Sequence, residues 1–117
     1  MRKYFATVLL LAVGGVAHAG YDVHISRKAN WVDDKGPRIE RSEFLQYMRT
    51  DPDIRRDLEN TEDDFLVSIR GQTFPLWFNP RMGELYTKDP SPAAIEKLKQ
   101  IAKALNARVQ GDEGENF

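Results

Sequence analysis

The chain has 117 residues, with 17 basic and 18 acidic side chains and no cysteine. This length suits one small domain, and a near-neutral charge without a basic block argues against a protein that binds nucleic acid or an anionic membrane. Without cysteine there is neither a disulfide nor a lipid-modified cysteine, so packing alone must stabilise the fold.

The first 19 residues have the three-part pattern of a secretory signal peptide. Two basic residues are followed by the apolar run ATVLLLAVGGVA, and small residues flank a cleavage point after Ala19. The run is too short for a comfortable transmembrane span. The alternative, a buried N-terminal helix, would have to accommodate the glycine pair at residues 14–15.

This pattern predicts a signal peptide over residues 1–19 and a single α+β domain over residues 20–117, in the periplasm or secreted. Cleavage would remove Arg2 and Lys3, so that 15 of the 17 basic residues remain against 18 acidic ones, a net charge of −3. No membrane insertion is expected after cleavage. The weakly acidic balance suits a basic partner.

The domain begins with a predicted strand. The segment YDVHIS at residues 21–26 alternates apolar and polar side chains, which is typical of a half-buried strand. His24 falls on the polar face, where we expect it to be exposed or hydrogen-bonded. A turn signal follows at residues 34–37, in either a short hairpin or an irregular link.

Two helical segments are predicted next. Ser42 is placed to cap the first, which should run to about Thr50 with an apolar stripe. The segment DPDIRRDLE at residues 51–59 then favours a restarted helix, since Ile54 and Leu58 are four residues apart on one face. A polar, acidic loop should follow.

Residues 64–88 predict a three-stranded antiparallel meander. Its middle strand, TFPLWFN, places phenylalanine and leucine side chains on the core face and Pro75 and Trp77 on the opposite one. Because proline cannot donate a hydrogen bond to a neighbouring strand, we expect this strand at a sheet edge or at a bulge.

The clearest element is the helix in SPAAIEKLKQIAKALNA. Ser91 is placed as its cap and Pro92 at its first position. The predicted apolar stripe comprises Ile95, Leu98, Ile101, Ala102 and Leu105. The lysines expected in solvent are Lys97, Lys99 and Lys103. Asn106 can end the helix in the left-handed conformation, before ARVQG as a short strand or an extended tail.

In chain order the elements are β-α-β-β-β-α-β, which predicts an α+β fold with about four or five short antiparallel strands packed on two helices. The helices would cover one face of the sheet. On the other face Trp77, Leu66 and Tyr86 would be exposed, unless Trp31 or Phe117 folds over them. Large exposed aromatic residues indicate binding sites more often than chance.

The C-terminal segment QGDEGENF has several possible interpretations. A phosphate loop needs glycines before a helix, whereas these follow one. An EF-hand loop needs ligands at fixed positions, and the spacing of Asp112, Glu113 and Glu115 does not fit. The segment is interpreted either as a solvated terminus after the last strand or as an acidic, partner-facing end with Phe117 as its apolar tip.

Catalytic and metal chemistry have weak support in the sequence. His24 is the only histidine after residue 19, no serine-hydrolase elbow is present, and one histidine without cysteine makes zinc unexpected. Carboxylates that could pair for acid–base hydrolysis are Asp51, Asp53, Asp57, Glu59, Glu62, Asp63 and Asp64. Interleaved arginines favour a solvated surface instead. We therefore predict no catalytic, cofactor-binding or metal-binding residue, and a protein that is not an enzyme.

The block AAIEKLKQIAKALNARVQGDEGENF resembles the end of a group of small, mostly uncharacterised bacterial proteins, in which an amphipathic helix precedes A-x-V-Q-G-D-x-G-E and an aromatic residue. Their front half carries I-x-x-x-E-[WF]-x-x-[YV] and then D-P-x-[IL]-R. The matching residues here are Ile39, Glu43, Phe44, Tyr47, Asp51, Pro52, Ile54 and Arg55. The resemblance covers roughly residues 20–117. It transfers no catalytic residue, and because some members of the group look like the neutralising partners of toxin–immunity pairs, it implies an immunity-protein-like role. The signal-peptide pattern is a departure, since many members of the group are associated with the cytoplasm.

We therefore predict a periplasmic protein-binding module, in its most specific form an immunity-type inhibitor of an envelope-targeted toxin. Trp77 and Tyr86 would be apolar anchors, and Asp112, Glu113 and Glu115 acidic contacts. Charge complementarity favours a basic partner such as a cell-wall hydrolase. The alternatives are a structural or accessory domain of an envelope assembly that pairs through a sheet edge and, less favoured, a small carboxylate-dependent hydrolase.

Overall fold

The computed structural model describes residues 20–117, which form one antiparallel sheet and two helices; the predicted signal peptide lies outside the described residues. The strands are β1 (Asp22–Ser26), β2 (Ile54–Arg56), β3 (Asp64–Ile69), β4 (Gln72–Asn79), β5 (Glu84–Lys88) and β6 (Arg108–Gly111), and the helices are α1 (Arg41–Met48) and α2 (Pro92–Ala104). The sheet order is β2-β3-β4-β5-β1-β6. The predicted α+β class is confirmed, with one strand more than expected.

Both helices pack on the same face of the sheet. The alternation of β1 and β3–β5 sends their apolar side chains to this face, where Ile25, Phe65 and Leu76 are fully buried. The Phe44 ring of α1 meets the Phe65 ring edge to face at 4.9 Å. Leu98 of α2 belongs to the same cluster. Among residues 20–117 no helix is long and apolar enough to cross a membrane.

The start of α1 differs from the prediction. The helix begins at Arg41, with Glu40 as its N-terminal cap. The Glu43 carboxylate accepts a hydrogen bond from the Glu40 amide at 2.9 Å, which satisfies one donor that the helix leaves free. Ser42 is therefore inside the first turn, and the prediction that it caps the helix is wrong.

The predicted second helical segment at residues 51–59 is also wrong. The chain turns at residues 51–53, where the Asp51 carboxylate accepts from the Asp53 amide at 3.1 Å, and Ile54 then pairs with Val67 as the start of β2. Leu58 is 85% exposed, so it shares no buried face with Ile54. Pairing with β3 buries Ile54, and this tertiary contact outweighs the local helical spacing.

Lys97 is another correction, because it is only 7% exposed although we expected it in solvent. Its ammonium group lies 2.8 Å from carboxylate oxygens of both Asp51 and Asp53. Burial lowers the pKa of Lys97, but the two hydrogen bonds outweigh burial and raise it. Burial likewise raises the pKa of Asp51, and the hydrogen bonds from Lys97 and Tyr47 outweigh it and lower that pKa.

Pro75 lies in the interior strand β4, so of the two predicted placements, an edge or a bulge, the edge is wrong. The ladder between β4 and β5 starts only at Trp77. The Pro75 carbonyl points toward β5 and accepts a hydrogen bond from the Thr87 hydroxyl at 2.5 Å. Because the ladder between β4 and β5 does not reach Pro75, the absence of an amide hydrogen there costs no hydrogen bond of that ladder, and the sheet tolerates the residue.

Candidate functional site

The face of the sheet opposite the helices, called the second face below, carries the candidate site. The register pairs His24 with Tyr86 and Tyr86 with Trp77, so these three side chains form a row across β1, β5 and β4. Ring centroids lie 6.3 Å apart for His24 and Tyr86 and 5.1 Å apart for Tyr86 and Trp77. At one end of the row, His24 lies in a buried polar cluster. At the other end, Trp77 lies in a partly exposed apolar surface.

The polar cluster, called the histidine centre, comprises Asp22, His24, Glu84 and Asp112. His24 is 3% exposed and both of its ring nitrogens contact carboxylates. Nδ1 lies 3.0 Å from Oε2 of Glu84, and Nε2 lies 2.9 Å from Oδ1 of Asp112. Burial lowers the pKa of His24, but the hydrogen bonds to Glu84 and Asp112 outweigh burial and raise it.

The strand register brings the members of the histidine centre together. Asp22 and His24 are two residues apart in β1, so they share the second face. Because β1 pairs with β5 on one side and β6 on the other, Glu84 and Asp112 approach His24 diagonally from opposite neighbours. The Asp112 carboxylate also accepts a hydrogen bond from the Asp22 amide at 2.9 Å.

A turn after β6 fixes Asp112 in place. The Gly114 amide donates to the Gly111 carbonyl at 3.0 Å, and the Gly111 amide donates to the Glu115 carbonyl at 2.9 Å. Gly114 has φ +85, a conformation that glycine adopts without strain. The Glu115 carboxylate accepts a hydrogen bond from the Tyr21 hydroxyl. The segment thus forms a hydrogen-bonded turn after the last strand, and Glu113, Glu115, Asn116 and Phe117 in it are exposed to solvent.

The connection between β1 and α1 covers the histidine centre. The Trp31 ring stacks on the His24 ring at 3.7 Å with an angle of 7° between the planes. The buried Gln110 of β6 fixes this connection, because its side chain accepts from the Trp31 amide at 2.8 Å and donates to the Ala29 carbonyl at 2.9 Å. Trp31 therefore covers His24, whereas the sequence analysis considered it as a possible cover for Trp77, Leu66 and Tyr86.

Two carboxylate oxygens of the histidine centre have no hydrogen-bond partner within residues 20–117. They are Oδ1 of Asp22 and Oε1 of Glu84, and both are buried. Burial and the nearby Asp112 carboxylate raise the pKa of Asp22. Three residues, Asp22, His24 and Asp112, each offer one potential ligand atom, and these three atoms all lie within 4.8 Å of one another. Chemically this arrangement can hold a cation, either a proton on His24 or a metal ion.

The partly exposed surface, called the aromatic patch, comprises Leu66, Pro75, Trp77 and Tyr86. Leu66 pairs with Pro75 and Trp77 with Tyr86, so the four side chains are neighbours on the second face. All four are partly exposed. Burial raises the pKa of Tyr86, and so do the negative charges of Asp22, Glu84 and Asp64 near it.

Phe117, the other predicted cover for the patch, lies elsewhere. It is 44% exposed and lines a shallow cavity at α2 and β6. The five predicted partner-binding residues thus fall into two places. Trp77 and Tyr86 are in the aromatic patch, and Asp112, Glu113 and Glu115 are in the terminal turn. Their role in binding a partner stays a prediction.

The histidine centre is the part of the site that sequence reasoning missed. His24 was expected on a polar strand face, but its contacts with Glu84 and Asp112 join residues 60 and 88 positions away. The only local signal was the i, i+2 spacing of Asp22 and His24.

The acidic residues weighed for hydrolysis mainly support local structure. Asp51 and Asp53 bind Lys97, and Asp63 accepts from the Arg41 guanidinium at 2.9 Å. Asp64 accepts from the Thr61 amide at 2.8 Å. These carboxylates therefore face cations and turn amides of the fold.

No protein-family model matches the chain, and no curated protein or solved structure matches it either. The resemblance to small immunity-like bacterial proteins stays a prediction that rests on the quoted motifs alone.

Proposed function

We propose that this protein is an exported binding module that acts by contact with a protein partner presenting lysine or arginine side chains. The observation that carries the proposal is the aromatic patch: Trp77 and Tyr86 lie side by side, partly exposed, on the sheet face that the helices leave free. Tryptophan and tyrosine contribute most to interfaces where they are presented in this way.

The charge around the patch supports a cationic contact. Asp64 pairs with Trp77 across β3 and β4, and Asp22 and Glu84 add negative charge near Tyr86. A lysine or arginine of the partner would lie on the face of a ring, with a carboxylate beside it. Such cation–π contacts contribute about 0.5–2 kcal/mol, depending on how far they are desolvated.

The proposed location and the most specific form of the function rest on the sequence. The signal-peptide pattern of residues 1–19 supports the periplasm or secretion. An immunity-type inhibitor would occlude a basic toxin, such as a cell-wall hydrolase, by shape and charge without chemistry. The acidic balance of residues 20–117 would speed the encounter with such a partner.

The alternative of an envelope accessory domain that pairs through a sheet edge finds less support. One edge strand, β2, has three residues and carries the exposed Arg55 and Arg56. At the other edge the folded-back terminus already occupies β6, where the Phe117 amide donates to the Val109 carbonyl at 3.0 Å. Short, charged or covered edges disfavour strand addition.

Binding of the purified protein to basic cell-wall hydrolases encoded near its gene tests the proposal. Trp77→Ala should weaken binding by about 2 kcal/mol, roughly 30-fold, since it removes a central anchor. The matched control is Leu58→Ala, because Leu58 is exposed and apolar but lies in the loop after β2. Equal affinities for wild type, Trp77→Ala and Glu113→Lys would remove this surface and the terminal turn from the function.

A further inference from the structure

We propose that the histidine centre is a binding site for a divalent transition-metal cation, with Zn²⁺ as its representative. The ligands would be Nε2 of His24 and one carboxylate oxygen each from Asp22 and Asp112. Their ligand atoms already lie within 4.8 Å of one another, so small side-chain adjustments would bring them around one ion. This inference does not depend on the proposed protein binding.

Glu84 is positioned to orient His24 for metal binding. It is 2% exposed, and its Oε2 lies 3.0 Å from Nδ1 of His24. In the tautomer in which Nδ1–H donates a hydrogen bond to Glu84, the lone pair of Nε2 is directed toward the Asp112 carboxylate. Metal-bound histidines almost always donate their second ring N–H to a carboxylate, a carbonyl or water in this way.

The negative charge of the histidine centre is larger than a single proton can compensate. With neutral His24, the centre holds three carboxylates, from Asp22, Glu84 and Asp112. A proton on His24 compensates one of these negative charges, and a divalent cation compensates two. A proton also leaves Oδ1 of Asp22 buried and without a partner, whereas a metal ion would bind there.

The surroundings suit a resident ion. Trp31 seals one face of the His24 ring, and Gln110 fixes the segment that carries Trp31. The side chain of Asp112 is 31% exposed, which leaves an entry path from solvent. One imidazole and two carboxylates favour Zn²⁺ over Ca²⁺ and Mg²⁺, since the latter two prefer oxygen ligands alone.

Calorimetric titration of the untagged protein, first treated with chelator, tests the site directly. We expect one Zn²⁺ per chain, and Ca²⁺ and Mg²⁺ at the same concentrations should bind at least tenfold more weakly. The ring ¹⁵N signals of His24, the only histidine after residue 19, report the location and should shift on Zn²⁺ addition. Absence of Zn²⁺ binding, or binding that leaves the His24 signals unchanged, would overturn the proposal.

Conservative variants separate the ligands from bystanders. Asp22→Asn and Asp112→Asn should each weaken Zn²⁺ binding at least tenfold, and Glu84→Gln should weaken it roughly 10- to 100-fold by releasing the ring. Glu113→Gln, an exposed acid in the same turn, is the matched control and should bind like wild type. Circular dichroism checks that each variant is folded. Unchanged binding in folded Asp22→Asn and Asp112→Asn would place the ion elsewhere.

Discussion

The histidine centre and the aromatic patch share one face of the sheet and one row of rings, yet they are built differently. His24 is held on both ring nitrogens and covered by Trp31. Trp77 is partly exposed, and the Tyr86 ring lies 5.1 Å from it at an angle of 46° between the planes, neither stacked nor edge to face. Polar groups that must be buried need a partner for each atom, whereas apolar rings can remain at a surface and adapt to a partner.

The difference arises from what covers each region. The connection after β1 is anchored over His24 by Gln110, so this half of the second face is closed. The half formed by β3 and β4 carries Leu66 and Pro75 and stays partly open. Substitutions in the histidine centre should therefore change the stability of the fold, and substitutions in the patch should change contact with a partner.

The largest expected effect is that of His24→Phe, which keeps a ring on Trp31 but removes both nitrogens. Glu84 would remain buried without its partner, so the free energy of unfolding should fall by about 3 kcal/mol. Urea denaturation measures this loss. Adding Glu84→Leu should recover part of it. A loss below about 0.5 kcal/mol would mean that the centre is no more constrained than the patch.

Gln110→Ala should have the next largest effect, because it leaves the Trp31 amide without its acceptor and removes the nearer of the two donors to the Ala29 carbonyl, the other being Arg108 at 3.4 Å. We expect a loss of about 2 kcal/mol and faster amide hydrogen exchange in residues 27–40. Gln46→Ala, at an exposed position of α1, should change stability by less than about 0.5 kcal/mol. Unchanged exchange in residues 27–40 would show that Gln110 does not fix the cover.

The unfolding free energy measured as a function of acidic pH tests a charge cluster outside the second face, the one that Asp51 and Asp53 form with Lys97. The pKa of Asp51 is lowered from 3.8, so its contribution is present above that value and is lost as the pH falls through the lower, folded value. Asp51→Asn should flatten this acid decline in unfolding free energy, whereas the exposed Asp34→Asn should leave it unchanged. An identical decline in all three proteins would contradict the assignment.

Trp77→Ala should have the smallest effect on stability, about 1 kcal/mol, because the residue is already partly exposed. Its effect should appear in partner affinity instead. Thermal unfolding and affinity measured on the same preparation separate the two quantities. A stability loss as large as that of His24→Phe would give the patch a structural role and remove the contrast between the two regions.

Local patterns predicted most of the elements. Alternation located β1 and the strands of the meander, the cap and stripe located α2, and Asn106 ends that helix at φ 55 as expected. The placement of Trp77 opposite the core followed from the same alternation. These features depend on neighbours in sequence, which is why the sequence carries them.

The features that were missed depend on distant partners. Ile54 and Lys97 are buried by contacts with β3 and with the turn before β2, and neither contact has a local signal. The histidine centre needs the pairing of β1 with both β5 and β6, because only that register brings Glu84 and Asp112 to His24. The order of strands in a sheet is set by the whole core, so a single sequence does not display it.

The most direct test of a histidine centre assembled to hold a cation is an anomalous difference map from a crystal grown with Zn²⁺. The account predicts a peak about 2.0–2.2 Å from Nε2 of His24 and from carboxylate oxygens of Asp22 and Asp112. A map without a peak there, in which His24 still bridges Glu84 and Asp112 as it does in the metal-free arrangement, would contradict it.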